Sequence, residues 1–408
     1  MGDTSFLRWP FFDDNHRELA ADLRVWAERE IEPRSTRESR GPELDRECIS
    51  LVRLLGEAGW LRRAVTAPFG GVGNTLDVRS LCLVRETLAS YSGLCDFVFA
   101  LQGLGAGPIT LFGSDELKRR YLPRVASGEA IPAFAISETD AGSDVAALRT
   151  MARRDGDSYV IDGEKTWISN AGIAEFYVVF CRLADTEERK FIALVVDAAN
   201  PGVSVTARME IVAPHPIGTV TFTNCRVSAT SVVGAPDKGM RVALGTLDVF
   251  RSTVGAAALG FARRALDESL QHVTGRKVFG TRLGDMQLTQ SRLAQMATDV
   301  DASALLVYRA AWERDTGAER ITREAAMAKW FATEAAQRAA DSAVQLLGGR
   351  GVIAGATVER LYREVRALRI YEGTSEIQQL IIAGQLLAQV EQRRPLVSNT
   401  TSPAEGNR

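Results

Sequence analysis

The order in which two hydrophobic periods follow one another constrains the fold of this chain more than any other feature. Apolar side chains recur at three- and four-residue steps over residues 13–124, which is typical of amphipathic helices. Residues 130–235 instead form short runs rich in Val, Ile, Phe and Thr, which predicts strands. The helical period returns after Gly239. Because strands and helices do not alternate, we predict an α+β fold that is mostly α, not a doubly wound parallel sheet.

The same changes of pattern divide the 408 residues into four predicted segments. We expect an N-terminal helical domain at residues 1–129, a middle domain at 130–236 built as a small antiparallel β-barrel or sandwich, and a C-terminal bundle of long helices at 237–392. Residues 393–408 are polar and contain Pro and Gly, which predicts a disordered tail.

Charge and cysteine content exclude several classes of partner. The 49 Lys and Arg residues balance 51 Asp and Glu residues, so nothing attracts nucleic acid or an anionic membrane in general. No apolar run approaches membrane-spanning length. Five scattered cysteines and three histidines predict free thiols and no metal site. We therefore expect a soluble, cytoplasmic protein that binds a small molecule.

Two segments of the middle region combine residue types that suit a flavin. Residues 135–145 place hydroxyls, acids and Gly142 after an apolar strand. They suit either a capped surface loop or a set of donors for a flavin and a phosphate-bearing ligand. In residues 163–172, Trp167 precedes Ser169 by two positions. This is either a hairpin with a core Trp or an indole that covers an isoalloxazine ring, with a hydroxyl that hydrogen-bonds the ring edge.

Two segments of the third region suit a dinucleotide. Residues 276–280 place a cation beside an aromatic ring between two helical stretches, where a solvated helix end is the ordinary interpretation. Residues 345–351 end a long helix with glycines, which is ordinarily a C-cap. Glycines also allow a backbone to approach a pyrophosphate closely. Both interpretations of each segment remain open from the residues alone.

A fifth segment contains the candidate catalytic residue. Glu372 lies between Tyr371 and Gly373, just before a helix in which Ser375 and Gln378 have capping-box spacing. A Glu in this place is either solvated or held in an apolar cleft with a raised pKa, ready to act as a base.

These five segments, in this order and at these separations, resemble the acyl-CoA dehydrogenase family over residues 13–390. The resemblance implies an N-terminal helical domain, a middle β-barrel domain and a C-terminal four-helix bundle. It further implies a homotetramer with FAD at the subunit junctions and an electron-transferring flavoprotein as electron acceptor.

Carried over position by position, the resemblance assigns both ligands. It implies that FAD is bound by residues from every segment, namely Phe134, Ile136, Ser137, Gly142, Ser143, Trp167, Ser169, Arg276, Phe279, Gln287, Gln345, Gly349, Thr374 and Glu376. It implies that the acyl thioester is bound by Ser143, Asp248, Arg251, Tyr371 and Gly373.

Glu372 occupies the position of the catalytic base in the commonest branch of the family. Other branches carry the base on an earlier helix, where this chain has Phe250. The implied reaction is α,β-dehydrogenation of a saturated acyl-CoA: Glu372 removes the α proton, a hydride leaves the β carbon for the flavin, and a trans-2-enoyl thioester forms. We expect residues 97–107, together with Phe250, to build the floor of the acyl pocket.

Three departures from the family pattern keep alternatives open. Residues 209–219 lack the usual Gly-x-Arg-Gly-Ser/Thr element, so the acyl group is carried either by CoA or by a carrier protein. Ser137 and Ser169 replace threonines, and Met286 replaces a polar residue of some members. A flavin oxidase or monooxygenase on the same fold is disfavoured because monooxygenases of this shape generally lack the Glu that Glu372 supplies. The retained flavin motifs disfavour a non-catalytic scaffold.

Overall fold

The computed structural model describes residues 3–184, 186 and 189–393. The predicted tail at 393–408 lies outside these residues, except for Arg393, which ends the last helix.

Five α-helices make up the described part of the first region. Side chains of Asp77, Ser92 and Ser114 each accept a hydrogen bond, at 3.1–3.3 Å, from the N–H three residues further on, and so fix where the third, fourth and fifth helices begin. The helices are α1 (Asp14–Glu30), α2 (Gly41–Glu57), α3 (Val78–Tyr91), α4 (Gly93–Phe112) and α5 (Asp115–Ser127).

The middle region is a curled seven-stranded sheet. Its strands are β1 (Pro132–Ala135), β2 (Met151–Asp155), β3 (Ser158–Ser169), β4 (Phe176–Leu183), β5 (Phe191–Asp197), β6 (Val203–Met209) and β7 (Ile217–Ser228). Side chains of β4 alternate between two cores, because successive residues of a strand face opposite sides. Phe176, Val178 and Phe180 pack with the helices α4 and α5, whereas Tyr177 and Val179 pack inside the curl with β3 and β7.

The sheet is mixed, whereas a wholly antiparallel one was expected. Both β1 and β2 pair with β4 in parallel, end to end along one edge, while the pairs β2–β3, β3–β7, β4–β5 and β6–β7 are antiparallel. Parallel pairing requires a long connection, which the loop after β1 and the β2–β3 hairpin provide. The predicted fold class is otherwise confirmed.

The third region is a bundle of long helices. Its elements are α6 (Gly239–Gly275), the short hairpin of β8 (Lys277–Val278) and β9 (Thr281–Arg282), α7 (Gln287–Asp315), α8 (Thr322–Leu347), α9 (Thr357–Leu368) and α10 (Ser375–Arg393). Helices α6, α7 and α8 pack against one another, and α10 packs on α8. A Cβ added at Gly255 of α6 would lie 3.1 Å from the carbonyl oxygen of Ala328 of α8, so glycine permits this close approach.

The first and third regions share one hydrophobic core. It runs from Leu23 and Leu55 through α3 to Val254 and Tyr308, all of which are buried. Helices α3, α4, α6 and α8 therefore all contribute side chains to this core.

Two helices, α4 and α6, are long and apolar enough to cross a membrane, which corrects the expectation that no run approaches that length. In each helix, 83% of the most apolar 18-residue stretch is buried inside the protein. Their apolar faces pack in the cores described above, as those of core helices do.

Candidate active site

Glu372 lies in a turn whose backbone is left-handed. The φ angle is +53° at Glu372 and +90° at Gly373. A left-handed residue other than glycine costs about 1–3 kcal/mol and persists where its surroundings impose it. Here two fully buried side chains do so. Gln378 Nε2 donates to the carbonyls of Glu372 and Gly373 at 3.1 and 2.9 Å, and Lys329 Nζ donates to that of Gly373 at 2.7 Å.

The start of α10 differs from the predicted capping box. Thr374, not Ser375, precedes the helix, and its Oγ1 accepts from the N–H of Ile377 at 3.4 Å. Ser375 Oγ instead donates to Glu334 Oε1 at 2.5 Å. The side chain of Gln378 donates to the carbonyls of the Glu372 turn instead of to the start of the helix. The prediction was wrong because tertiary partners from α8 and from the turn replaced the local ones.

The carboxyl group of Glu372 is directed into the protein. The residue is partly exposed, but its Oε2 is buried and has no hydrogen-bond partner among the described residues. Burial raises the pKa of Glu372, and attraction by Arg85, Arg251 and Lys329 opposes that rise only in part. A carboxylate with a raised pKa takes up a proton more readily than a solvated one, which suits a general base.

Three cations from three helices surround this carboxyl group. Arg85 comes from α3, Arg251 from α6 and Lys329 from α8. Burial lowers the pKa of Lys329 to about 8, against the attraction of Glu372. Burial also lowers the pKa of Arg251, while Asp248 and Glu372 stabilise its charge. Sequence analysis had identified only Arg251 of these three.

Each of the two arginines has its own carboxylate. Arg85 Nε and Nη2 donate to the two oxygens of Asp96 at 2.8 Å each. Arg251 Nη1 donates to Asp248 Oδ1 at 3.3 Å, and Thr322 Oγ1 donates to Asp248 Oδ2 at 2.8 Å. Arg251 Nε is buried without an acceptor among the described residues. The structure thus places Arg251 near Glu372 and Asp248 against Arg251.

Phe250 fills the position where other branches carry their base. Phe250 is buried, and its ring packs against two glycines of α4. A Cβ added at Gly103 or Gly107 would lie 2.6 or 2.8 Å from the ring. These glycines therefore make room for Phe250, and the ring occupies part of the space between α4 and α6.

Glu138 and Lys165 fix the loop that follows β1. Lys165 Nζ, fully buried, donates to the carbonyl of Ile136 at 3.0 Å and to Glu138 Oε1 at 2.8 Å. The carboxylate of Glu138 also accepts from the N–H groups of Arg149 and Thr150 at 2.7 and 2.9 Å. Both ends of the loop are therefore tied to one buried ion pair, which sequence analysis had not assigned.

The loop and the Trp167 segment meet at the surface. The N–H of Thr166 donates to the carbonyl of Ser137 at 3.0 Å. Trp167 lies at a bulge of β3 with φ +54°, and 52% of its surface is exposed. Gly142 and Ser143 are exposed and Ser169 is partly exposed. The structure therefore brings together the two segments predicted to face a flavin, and it shows that Trp167 is not a core residue.

The first two residues of the implied flavin wall point inward. Phe134 packs in the core, with its ring centroid 4.7 Å from that of Phe180. Ile136 is buried as well. Both side chains therefore belong to the core that supports the loop and do not face the surface.

The five implied cofactor residues between the middle region and the Glu372 turn are exposed. They are Arg276, Phe279, Gln287, Gln345 and Gly349. Phe279 is 99% exposed with φ +49°. Burial, together with nearby Arg350 and Arg276, lowers the pKa of His272, so these two arginines form a basic patch beside the hairpin. Thr374 and Glu376 directly follow the Glu372 turn.

These features fit FAD. A half-exposed indole on a bulged strand offers a flat face to the isoalloxazine ring. A basic patch beside an exposed aromatic ring suits a pyrophosphate and an adenine. A Cβ added at Gly142 or Gly349 would meet nothing within 4 Å, so the backbone of both glycines is open to a ligand.

Arg85, Asp96 and Lys329 were not among the predicted site residues, and Gln378 was predicted only as part of a capping box. One signal was available for the charged residues, since each interrupts an apolar stretch of a helix. Charged side chains are rarely fully buried unless they are paired or functional. Nothing in the sequence indicated that these three helices meet.

Comparison with known proteins gives one consistent result. The model of the acyl-CoA dehydrogenase N-terminal domain matches residues 13–129, that of the middle domain residues 133–225, and that of the C-terminal domain residues 237–387. Together they cover most of the chain.

Two curated relatives are similar over nearly their whole length. The chain is 36% identical to the 3-(aryl)acrylate reductase of Clostridium sporogenes, covering 92% of this chain and 100% of that one. It is 35% identical to the short-chain specific acyl-CoA dehydrogenase of Rattus norvegicus, covering 92% and 90%. A solved acyl-CoA dehydrogenase complexed with FAD from Bacillus anthracis superposes with a TM-score of 0.86 at 29% identity, covering 96% and 72%.

Proposed function

The chain belongs to the acyl-CoA dehydrogenase family, and from that membership we propose that Glu372 is the base that removes the α proton of an acyl thioester. The enzyme is an FAD-dependent oxidoreductase that acts on the CH–CH group of acyl-CoA. The geometry of this chain supports the assignment of Glu372 as the base.

The observation that carries the proposal is the unpartnered, buried Oε2 of Glu372 with its raised pKa. A carboxylate oxygen that has no protein donor is free to accept a proton from a bound ligand. The charges of Arg85, Arg251 and Lys329 oppose the rise in the pKa of Glu372 and so favour its ionised form, which is the form that accepts a proton.

The backbone of the turn completes the proposed chemistry. Among the described residues, the N–H of Glu372 has no backbone acceptor, so it is available to donate to the thioester carbonyl. A donor aimed at that oxygen stabilises the negative charge that develops there as the proton leaves. Bound FAD supplies the acceptor for the β hydride. Gln378 and Lys329 hold the turn so that the N–H and the carboxylate of one residue act on adjacent atoms.

Anaerobic titration with a panel of saturated acyl-CoA esters tests the base. Wild type should bleach its flavin with at least one ester, whereas Glu372→Gln should lose about 10²- to 10⁴-fold in the rate of bleaching. FAD content should be unchanged in the variant. Glu116→Gln, at an exposed Glu of α5, is the matched control and should behave as wild type. Equal bleaching in Glu372→Gln and wild type would place the base elsewhere.

The carrier of the acyl group is a second question, raised by residues 209–219. His215 of this segment is turned inward, with its ring centroid 4.2 Å from that of Phe97 and its Nε2 3.2 Å from Glu364 Oε2. This side chain therefore offers nothing to a CoA nucleotide at the surface. The alternative substrate is the same acyl group on a carrier protein. A turnover comparison of one acyl group on CoA and on the carrier separates the two.

We further propose a homo-oligomer, with a tetramer as the expected state. Large apolar side chains stand exposed on α10 and near the β8–β9 hairpin, namely Phe279 (99%), Leu288 (87%), Leu380 (68%) and Leu387 (66%). Exposed apolar surface of this kind is typical of an interface between subunits. We also propose that an electron-transferring flavoprotein accepts the electrons from the reduced flavin. A cytoplasmic location is proposed because the five cysteines are unpaired.

A further inference from the structure

We infer that the buried ion pair of Lys165 and Glu138 positions the flavin-facing segments, which makes both side chains positioning residues for FAD. The inference concerns how the chain holds its cofactor and goes beyond the proposed role of Glu372 as the base. It rests on the hydrogen bonds that join residues 135–145 to residues 163–172, the two segments predicted to face a flavin.

Stability alone does not account for this ion pair. Lys165 is fully buried, and the side chain of Glu138 is only 10% exposed. Burial opposes ionisation of Glu138, but attraction by Lys165, together with the donors of Thr150 and Arg149, lowers its pKa. Glu138 is therefore an ionised carboxylate inside the protein. Replacement of such a buried pair by apolar side chains is often neutral for stability, so its role is indicated by what it holds in place.

Each partner of the ion pair lies close in the chain to a residue predicted to face the flavin. Lys165 Nζ donates to the carbonyl of Ile136 at 3.0 Å and to Glu138 Oε1 at 2.8 Å. Ser137 lies between these two acceptors in the chain, and Trp167 follows Lys165 by two positions. One ammonium group therefore holds the chain on both sides of Ser137 and joins it to the strand that carries Trp167.

A bulge of β3 turns Trp167 to the surface. Thr166 and Trp167 of β3 lie opposite a single residue of β7, Thr219. The N–H of Thr166 donates to the carbonyl of Ser137 at 3.0 Å, and the Oγ1 of Thr166 lies 3.0 Å from that of Thr219. A bulge re-aims a side chain, and here the indole is 52% exposed at a φ angle of +54°. The loop that Lys165 holds is thus bonded to the bulge that presents Trp167.

The far end of the loop is bonded to the same carboxylate. Glu138 accepts from the N–H groups of Arg149 and Thr150 at 2.7 and 2.9 Å. Thr150 Oγ1 in turn donates to the carbonyl of Glu164 at 3.2 Å. A Cβ added at Gly163 would lie 2.7 Å from the Cα of Thr150, so glycine permits this close approach. The loop and β3 are therefore one bonded unit, and removal of the charge at its centre should relax both flavin-facing segments.

Titration of the apoprotein with FAD tests the inference. In Lys165→Met the carboxylate of Glu138 loses its cation, and we expect the Kd for FAD to rise by about 10- to 100-fold. The visible absorption spectrum of the bound flavin should move toward that of free FAD, because the surroundings of the ring tune its electronic properties. Glu138→Gln keeps the size of the side chain and should change both readouts in the same direction by a smaller factor. Wild-type affinity together with a wild-type spectrum in Lys165→Met would overturn the inference. If Lys165→Met does not fold, the same result in Glu138→Gln overturns it.

A matched variant separates positioning from general loosening of the middle region. Tyr121→Phe removes the 2.7 Å hydrogen bond from the Tyr121 hydroxyl to Asp197 Oδ1, which joins α5 to the end of β5. It should leave both the Kd for FAD and the flavin spectrum unchanged. If Tyr121→Phe weakens FAD binding as much as Lys165→Met does, the ion pair has no special role and the inference fails. Neither readout requires a substrate, so the outcome is independent of whether Glu372 is the base.

Discussion

Lys329 Nζ donates a 2.7 Å hydrogen bond to the carbonyl oxygen of Gly373, the residue that follows Glu372. The lysine is fully buried on α8, so a positive charge is held directly beneath the catalytic turn. Two effects follow from one contact. The hydrogen bond maintains the left-handed backbone at Glu372 and Gly373, and the charge favours the ionised form of the Glu372 carboxyl group.

Replacement of Lys329 by Met should move the pH dependence of catalysis. Glu372 must be ionised to accept a proton, so activity is lost as pH falls through its raised pKa. Without the cation that pKa rises further, and the acidic limb of kcat/KM should shift upward by about one pH unit. The measurement is a pH profile of flavin reduction.

Lys329→Met removes both the positive charge and the hydrogen bond to the Gly373 carbonyl, so a second variant is needed to separate the two effects. The other titratable groups that interact with Glu372, Lys329 or Arg251 remain in the variant, namely Arg85, Asp96, Asp248, Arg251, Glu334, Tyr371 and Glu376. Lys329→Arg keeps the charge and should restore most of the wild-type profile. An acidic limb that stays in place in Lys329→Met would show that the lysine has only a structural role.

Single and double substitutions of Arg85 and Asp96 should differ in stability. Arg85→Leu alone leaves a buried carboxylate without a partner and should lower the free energy of unfolding by about 3–5 kcal/mol. Arg85→Leu/Asp96→Leu removes both charges and should recover most of that loss. Denaturant unfolding of the three proteins measures the difference. Equal destabilisation by the single and the double substitution would mean that the two side chains are not coupled.

Arg276 should contribute to FAD affinity. Its guanidinium lies in the basic patch beside Phe279, and loss of a charge-assisted contact to a pyrophosphate should raise the Kd for FAD by about 10- to 100-fold in Arg276→Ala. Arg282→Ala is the matched control, because Arg282 lies in the same hairpin but is paired with Asp285 at 3.1 Å. Titration of the apoprotein with FAD measures both. If Arg276→Ala binds FAD with the same affinity as wild type, Arg276 does not contact the cofactor.

Substitution of exposed leucines on α10 should weaken assembly. Leu380→Ser/Leu387→Ser removes two large apolar side chains from the proposed interface and should shift the protein toward smaller species. Light scattering after size-exclusion chromatography gives the mass. Val25→Ser, at a position on α1 that is 63% exposed, should leave the mass unchanged. A variant with the wild-type mass would place the interface elsewhere.

Local patterns predicted much of this protein. The three-part order of helices, strands and helices is visible because an amphipathic helix and a half-buried strand repeat with different periods. Trp167 and Glu372 were found because their neighbours match a family pattern, and both lie at left-handed backbone positions that the sequence did not indicate. The parallel pairing of β1 and β2 with β4 was not predicted, since strand order depends on non-local contacts.

The sequence by itself determined the fold class, the segments that carry the flavin motifs and the identity of the candidate base. Only the tertiary structure decided what surrounds that base. Arg85, Asp96 and Lys329 belong to three helices up to 244 residues apart (329 minus 85), and each appears in the sequence only as a charged residue of a helix rich in apolar side chains. Their effect on Glu372 arises from burial and distance, because electrostatic interactions strengthen where water is excluded. Helical periodicity encodes which face is buried, but not which helix it will meet.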